Sequence, residues 1–135
     1  MRRTFYLAGS SERATGLKRK AQELEQRMLR CLCMWMNDVP KFGASGFEGS
    51  SPAEQSAMVY EDILACQAAD LFVAVIGNET HSRGTYMEIG ARLGVNKPVH
   101  IVLDCPEAPI HLFFKHPLVT VHEGWFAFLN REVAS

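Results

Sequence analysis

The chain has 135 residues, of which 47% are hydrophobic and 21% charged, with a formal net charge of −1. That is enough for one globular domain with its own core, and too apolar for intrinsic disorder. No apolar run reaches the roughly 18–20 residues of a membrane-spanning helix, and the N-terminal apolar stretch is too short for a secretory leader. One soluble cytoplasmic domain over residues 1–135, with no membrane partner, is therefore expected.

Residues 4–8 form a short β-prone run that ends in the turn signal Gly9-Ser10-Ser11. Over 15–30, Leu17, Ala21, Leu24 and Met28 recur at helical spacing with charge on the opposite face. The run 31–36 reads as a second, buried strand carrying Cys31 and Cys33. Residues at i and i+2 share a strand face, so a thiolate pair is geometrically open. No Cys-x-x-Cys motif or metal-finger spacing accompanies these two, Cys66 or Cys105, and reduced core thiols are expected. The segment 37–51 is rich in Gly, Ser and Pro and reads as a long loop, a length that is often functional.

Ser51-Pro-Ala-Glu54 carries a capping box with Pro at the first helical position, opening a helix to about Ala69. Residues 70–76 are continuously apolar after Asp70, the pattern of a parallel strand covered on both faces. A polar loop over 77–84, a helix over 85–93 closed by Gly94 and Asn96, and a buried strand over 98–103 follow. A short strand near 118–121 and a helix from about Glu123 to Val133 complete the chain. Strands alternating with helices predict an α/β fold, a doubly wound parallel sheet with ligands at the carboxyl ends of its strands. The loops 9–13, 37–51 and 77–84 are expected to meet at that edge.

The charge is unevenly spread. Nine basic residues stand against four acidic ones through Lys41, and five against eleven beyond it. The basic part reads either as a steering surface for an anionic substrate or as a solvated helix face, and it is too weak to predict a nucleic-acid polymer as partner.

Three stretches carry candidate chemistry. In Ser82-Arg-Gly-Thr-Tyr-Met-Glu88, Gly84 permits a tight turn and close backbone approach to a ligand, and Glu88 falls within about the first helical turn. A carboxylate kept ionised there by the helix dipole suits a nucleophile, although Glu88 also fits an ion pair with Arg92 four residues on. Asp62 lies beside the apolar stripe of Val59, Ile63 and Cys66. Desolvation would raise its pKa and suit a proton donor, with a solvated surface acid as the alternative. In the third stretch, Tyr6 to Arg13, the backbone of the Gly9–Ser10–Ser11 turn suits a phosphate that Arg13 would pair with. Trp35 and Phe47 are candidates to stack on a base. His81 and His116 are candidate cleft residues, although five scattered His residues carry no motif.

Tyr6-Leu-Ala-Gly-Ser10, Asp62 ahead of Ala69-Asp70 and an apolar strand, then Ser82-x-Gly-Thr-x-x-Glu88-x-Gly-Ala with Lys97-Pro98-Val99, together resemble the nucleoside 2-deoxyribosyltransferase family. The resemblance covers most of residues 4–104 in order. It implies a flavodoxin-like, Rossmann-like α/β sheet and cleavage of the N-glycosidic bond of a 2'-deoxynucleoside or nucleotide. It also implies Glu88 as the nucleophile on C1', Asp62 assisting protonation of the departing base, and Tyr6 holding Glu88. Two carboxylates about 5 Å apart would fit retaining glycoside chemistry.

The transferases commonly carry an Asp six residues before the nucleophile. This chain has Ser82 there, which resembles the branch that hydrolyses nucleoside 5'-monophosphates, since a hydroxyl donates to a phosphate that a carboxylate would repel. Gly9, Ser10, Ser11, Arg13, Arg83, Gly84 and Thr85 join Ser82 as candidate substrate-binding residues. Hydrolysis of a nucleotide is the leading expectation. Base transfer is the first alternative, and a nucleotide-binding sensor without turnover the second. No metal or cofactor is required, because a carboxylate nucleophile suffices. The family commonly completes its site across subunits, so a homodimer or higher homo-oligomer is expected, with Phe113, Phe114, Trp125 and Phe126 as candidate interface residues.

Overall fold

The computed structural model describes residues 3–33, 35–43, 45–79 and 82–133. Five parallel strands, β1 (Thr4–Ala8), β2 (Arg30–Cys31), β3 (Leu71–Ile76), β4 (Val99–Leu103) and β5 (Val119–His122), form one sheet in the order β2-β1-β3-β4-β5. Among the described residues, five α-helices connect and flank them: α1 (Ala14–Gln26), α2 (Trp35–Phe42), α3 (Pro52–Ala68), α4 (Arg83–Leu93) and α5 (Trp125–Glu132). This is the expected doubly wound α/β sheet with flavodoxin-like strand order. Among the described residues, no helix is long and apolar enough to cross a membrane.

All six residues of β3 are buried, as a central parallel strand with helices on both faces requires. The capping box at Ser51 and Glu54 is present in both directions and starts α3. The chain winds outward from β1 to β2, then returns to place β3 on the other side of β1. That reversal opens a crevice at the carboxyl ends of β1 and β3, where doubly wound sheets bind ligands.

Three expectations fail locally. The second strand is only Arg30–Cys31, and Trp35 and Met36 belong to α2 instead. A short apolar run does not distinguish a strand from a buried helix segment, and Trp35, Met36 and Val39 also satisfy helical spacing. The loop 37–51 is accordingly helical through Phe42, with Pro40 inside α2. Finally, α1 ends at Gln26, and Met28 stands outside it at φ +69°, 68% exposed, so it is not on the buried stripe of Leu17, Ala21 and Leu24.

Candidate active site

Tyr6 lies at the middle of β1, fully buried, with its ring stacked on Phe72 of β3 at 5.8 Å. Its hydroxyl donates a hydrogen bond to Oε2 of Glu88 on α4. Burial and the nearby Glu88 charge hold the phenol far above its ordinary pKa, so it stays a donor. Glu88 is the sixth residue of α4 and stands in its second turn, beyond the reach of the dipole effect, which fades within the first. Desolvation instead raises its pKa to about 8; the Tyr6 hydrogen bond opposes the rise and the Asp62 charge adds to it. The expectation of a carboxylate kept ionised by the helix start is therefore corrected: burial outweighs the dipole, and the acid is mostly neutral at pH 7.

The ion pair with Arg92 does not form. Arg92 is 1% exposed, and its guanidinium donates to the carbonyls of Cys66 at 3.2 Å, of Ala69, and of Pro98 at 3.1 Å. It thus satisfies the open carbonyls at the end of α3.

Asp62, on α3, is half-buried with its pKa raised to about 7, by burial first and then by the charges of Asp38 and Glu61. It lines a cleft of about 320 Å³ whose other walls include Ser11, Trp35, Asp38, Phe47 and Gly84. The segments after β1, β2 and β3 therefore meet at one edge, as expected. Trp35 is fastened there by its indole N–H, which donates to the carbonyl of Leu7 at 2.9 Å. Asp38 carries no signal in the sequence, because its segment has the pattern of strand and loop. One turn of α2 after Trp35 it shares that residue's face, a signal visible only once the helix is recognised.

Gly84 is the second residue of α4, so it serves no tight turn. A Cβ there would meet nothing within 4 Å. It lines the cleft and stands four residues before Glu88, whereas Glu88 itself is not among the lining residues. Ser82, half-buried, is the N-cap of α4 but makes no side-chain cap hydrogen bond. Thr85 is 3% exposed, and its Oγ1 has no partner among the described residues. Arg83 is exposed at the start of α4.

After β1, the Ser10 hydroxyl caps a 3-10 turn (Ser11–Arg13) by accepting from the Glu12 N–H. Gly9 has a packing role: a Cβ would stand 2.6 Å from a methyl of Leu17. Arg13 is held by two carboxylates, Glu79 at 3.4 Å and Asp104, and Lys20 reaches Asp104 at 3.7 Å. A phosphate pairing by Arg13 would thus compete with internal acids. Glu79 and Asp104 belong to no sequence motif; each follows a buried strand, at the edge where the loops converge.

His116 is exposed and accepts from the Leu118 N–H in a turn, and His81 lies outside the described residues. Among the described residues, the group with metal-ligand character is His100, His122 and Glu132, with one ligand atom of each within 4.8 Å of the others. It sits on β4, β5 and α5 and contributes nothing to the cleft lining.

A sequence model of the family described as Nucleoside 2-deoxyribosyltransferase matches residues 5–111. The chain is similar in structure to a 2-deoxyribosyltransferase from the psychrotolerant bacterium Bacillus psychrosaccharolyticus, with 21% identity, a TM-score of 0.74, and 97% of this chain and 93% of that one covered. It is also similar to the CMP N-glycosidase BcmB of Clostridium botulinum, with 23% identity, a TM-score of 0.54, and coverage of 89% and 85%. At these identities the two likenesses establish a shared fold. No curated protein sequence matches the chain.

Proposed function

The chain belongs to the nucleoside 2-deoxyribosyltransferase family, and from that premise we propose that it hydrolyses the N-glycosidic bond of a (2'-deoxy)nucleoside 5'-monophosphate. The observation that carries this reading is the Tyr6–Glu88 hydrogen bond beside a second raised carboxyl, Asp62, at the cleft.

Glu88, once ionised, attacks C1'; the C1'–N bond breaks and a glycosyl-enzyme ester forms. Asp62, with a pKa of about 7, is available at neutral pH as the acid that protonates the departing base. Water then attacks C1' of the ester, the C1'–O bond breaks to release the Glu88 carboxylate, and Asp62, now a carboxylate, takes the water proton. Tyr6 fixes one oxygen of Glu88 and leaves the other for C1'. The transition state is cationic at C1', which favours the ionised form of Glu88 just when it is needed.

The phosphate falls to neutral donors, the hydroxyls of Ser82, Ser10 and Ser11, with Arg83 at the mouth. Arg13 braces the loop after β1 from behind through Glu79 and Asp104. Trp35 and Phe47 supply an apolar wall for the base.

Self-association fits the exposed apolar side chains of α3 and α4. Val59, Tyr60 and Met87 are each more than 60% exposed in the single chain. In the aromatic tail only Phe113 and Phe126 are exposed, whereas Phe114 and Trp125 are core.

Incubation with a panel of deoxynucleoside and nucleoside monophosphates should release free base. No release by the wild-type chain, or equal release by Glu88→Ala, would refute the proposal. Addition of a second free base separates transfer from hydrolysis: formation of new nucleotide faster than free sugar phosphate would favour the transferase alternative. Saturable binding without turnover would favour the sensor.

A further inference from the structure

The sheet edge beside the cleft carries a pair of thiols that the reaction does not use. The chain leaves β2 at Cys31 and bends so that the sulfurs of Cys31 and Cys33 lie 2.8 Å apart. That is about 0.8 Å beyond the covalent distance of about 2.05 Å. Both thiols are free. The backbone N–H of Cys33 also donates to the Cys31 sulfur at 3.3 Å.

The two sulfurs are not equivalent. Cys31 is half-buried, and the Cys33 hydrogen bond holds its thiol below the ordinary value. Cys33 is buried, and the Cys31 contact with desolvation pushes its thiol far up. A thiolate-forming, partly exposed cysteine against a buried thiol has the layout of an attacking and a resolving residue. Cys66 differs: it is fully buried, its thiol donates to the carbonyl of Ile63, and burial raises it to about 12.

The pair is also wired to the cleft. The Cys33 sulfur accepts from the N–H of Leu7 at 3.4 Å, in β1 next to Tyr6. The carbonyl of the same Leu7 holds the indole of Trp35, which lines the cleft.

We propose that Cys31 and Cys33 form a peroxide-oxidisable dithiol whose closure to a reversible disulfide resets the Trp35 wall of the cleft. The Cys31 thiolate attacks one oxygen of hydrogen peroxide, breaks the O–O bond and becomes a sulfenic acid; the released hydroxide takes a proton to leave as water. The Cys33 sulfur then attacks that sulfenic sulfur, the S–O bond breaks, and its oxygen leaves with the Cys33 proton as a second water. The two thiols are oxidised by two electrons and the peroxide is reduced by the same two. A thiol reductant reverses the step by exchange. Moving the Cys33 sulfur toward Cys31 weakens its bond to Leu7 and disturbs the strand that carries both Tyr6 and the anchor of Trp35.

The test uses the full chain, reduced, then treated with hydrogen peroxide, unfolded in denaturant, alkylated and mapped by peptide mass. The expected result is a peptide containing Cys31 and Cys33 that is lighter by two hydrogens and carries no alkyl group, with Cys66 still alkylated and dithiothreitol restoring both sites. In Cys33→Ser, Cys31 should instead be captured as sulfenic acid by dimedone, and Cys31→Ser should give neither product. Full alkylation of both sites after treatment of the wild type, or dimedone capture on Cys105 ahead of Cys31 in Cys33→Ser, would overturn the dithiol. The link to the cleft is read from Trp125→Phe, which leaves Trp35 as the one indole. A reversible shift of its emission on oxidation is expected, and an unchanged spectrum alongside a formed disulfide would overturn the link.

Discussion

The Tyr6 hydroxyl donates to the Glu88 carboxylate across 82 positions of sequence, joining the middle of β1 to the second turn of α4. That bond is the main force opposing the rise of the Glu88 pKa on burial. Removing it in Tyr6→Phe should raise the Glu88 pKa further and lower the ionised fraction at pH 7. We expect kcat/KM at pH 7 to fall by about 10- to 100-fold, the worth of a hydrogen bond to a charged group. The acidic limb of the pH–rate profile should move to higher pH. An unmoved limb would show that Tyr6 does not act through Glu88.

Glu88 and Asp62 have pKa values of about 8 and about 7, and each must hold the opposite protonation state for the proposed reaction. The pair titrates as a unit, so kcat/KM should rise as the first proton leaves and fall as the second does. Asp62→Asn should abolish the alkaline fall and lower kcat by about 10²- to 10⁴-fold, the usual worth of a general acid. A persistent alkaline limb in Asp62→Asn would assign that limb to another group.

The same shifts set the stability of the protein. Glu88 goes from an ordinary value of 4.5 to about 8 on folding, and Asp62 from 3.8 to about 7. The folded chain therefore binds these protons more tightly than the unfolded one. Their contribution is complete at low pH and is lost as pH rises through each folded value. Glu88→Gln should lose about half of this slope, because the Asp62 shift rests on burial, Asp38 and Glu61, and its Tm should exceed that of the wild type above about pH 8. Thermal unfolding between about pH 5 and about pH 9 measures the difference.

Gly84 lines the cleft one helical turn before Glu88, with open space where its Cβ would stand. Gly84→Ala should stabilise the helix by up to about 0.5–1 kcal/mol, because alanine loses less backbone entropy. Its methyl group projects into the cleft, so KM should rise while Tm increases. A gain in Tm with unchanged KM would place the substrate away from Gly84.

Arg92 stabilises the end of α3 through buried carbonyl contacts. Arg92→Met keeps the stem but strands those oxygens, and should cost about 3 kcal/mol in denaturant unfolding. The pH–rate profile of the folded variant should be unchanged. A shift in its acidic limb would restore the surface pairing with Glu88 that the fold excludes.

Local chemistry along the chain was enough for β1, for α3 with its capping box, for the continuous apolar run of β3, and for the parallel architecture. Each rests on residues close in sequence whose hydrogen bonds and burial patterns are short-range. The choice of Tyr6, Asp62 and Glu88 was legible through ordered motifs that resemble a family. What only the tertiary structure decided is how those groups are charged and what surrounds them. Glu88 is raised because folding buries it, Arg13 faces Glu79 and Asp104 because the ends of β1, β3 and β4 converge, and Arg92 turns inward because α3 ends beside it. The helical state of 35–42, which brings Asp38 to the cleft, was hidden for the same reason: a short apolar run acquires its conformation from the partner it packs against, here the carboxyl end of β1 at Leu7.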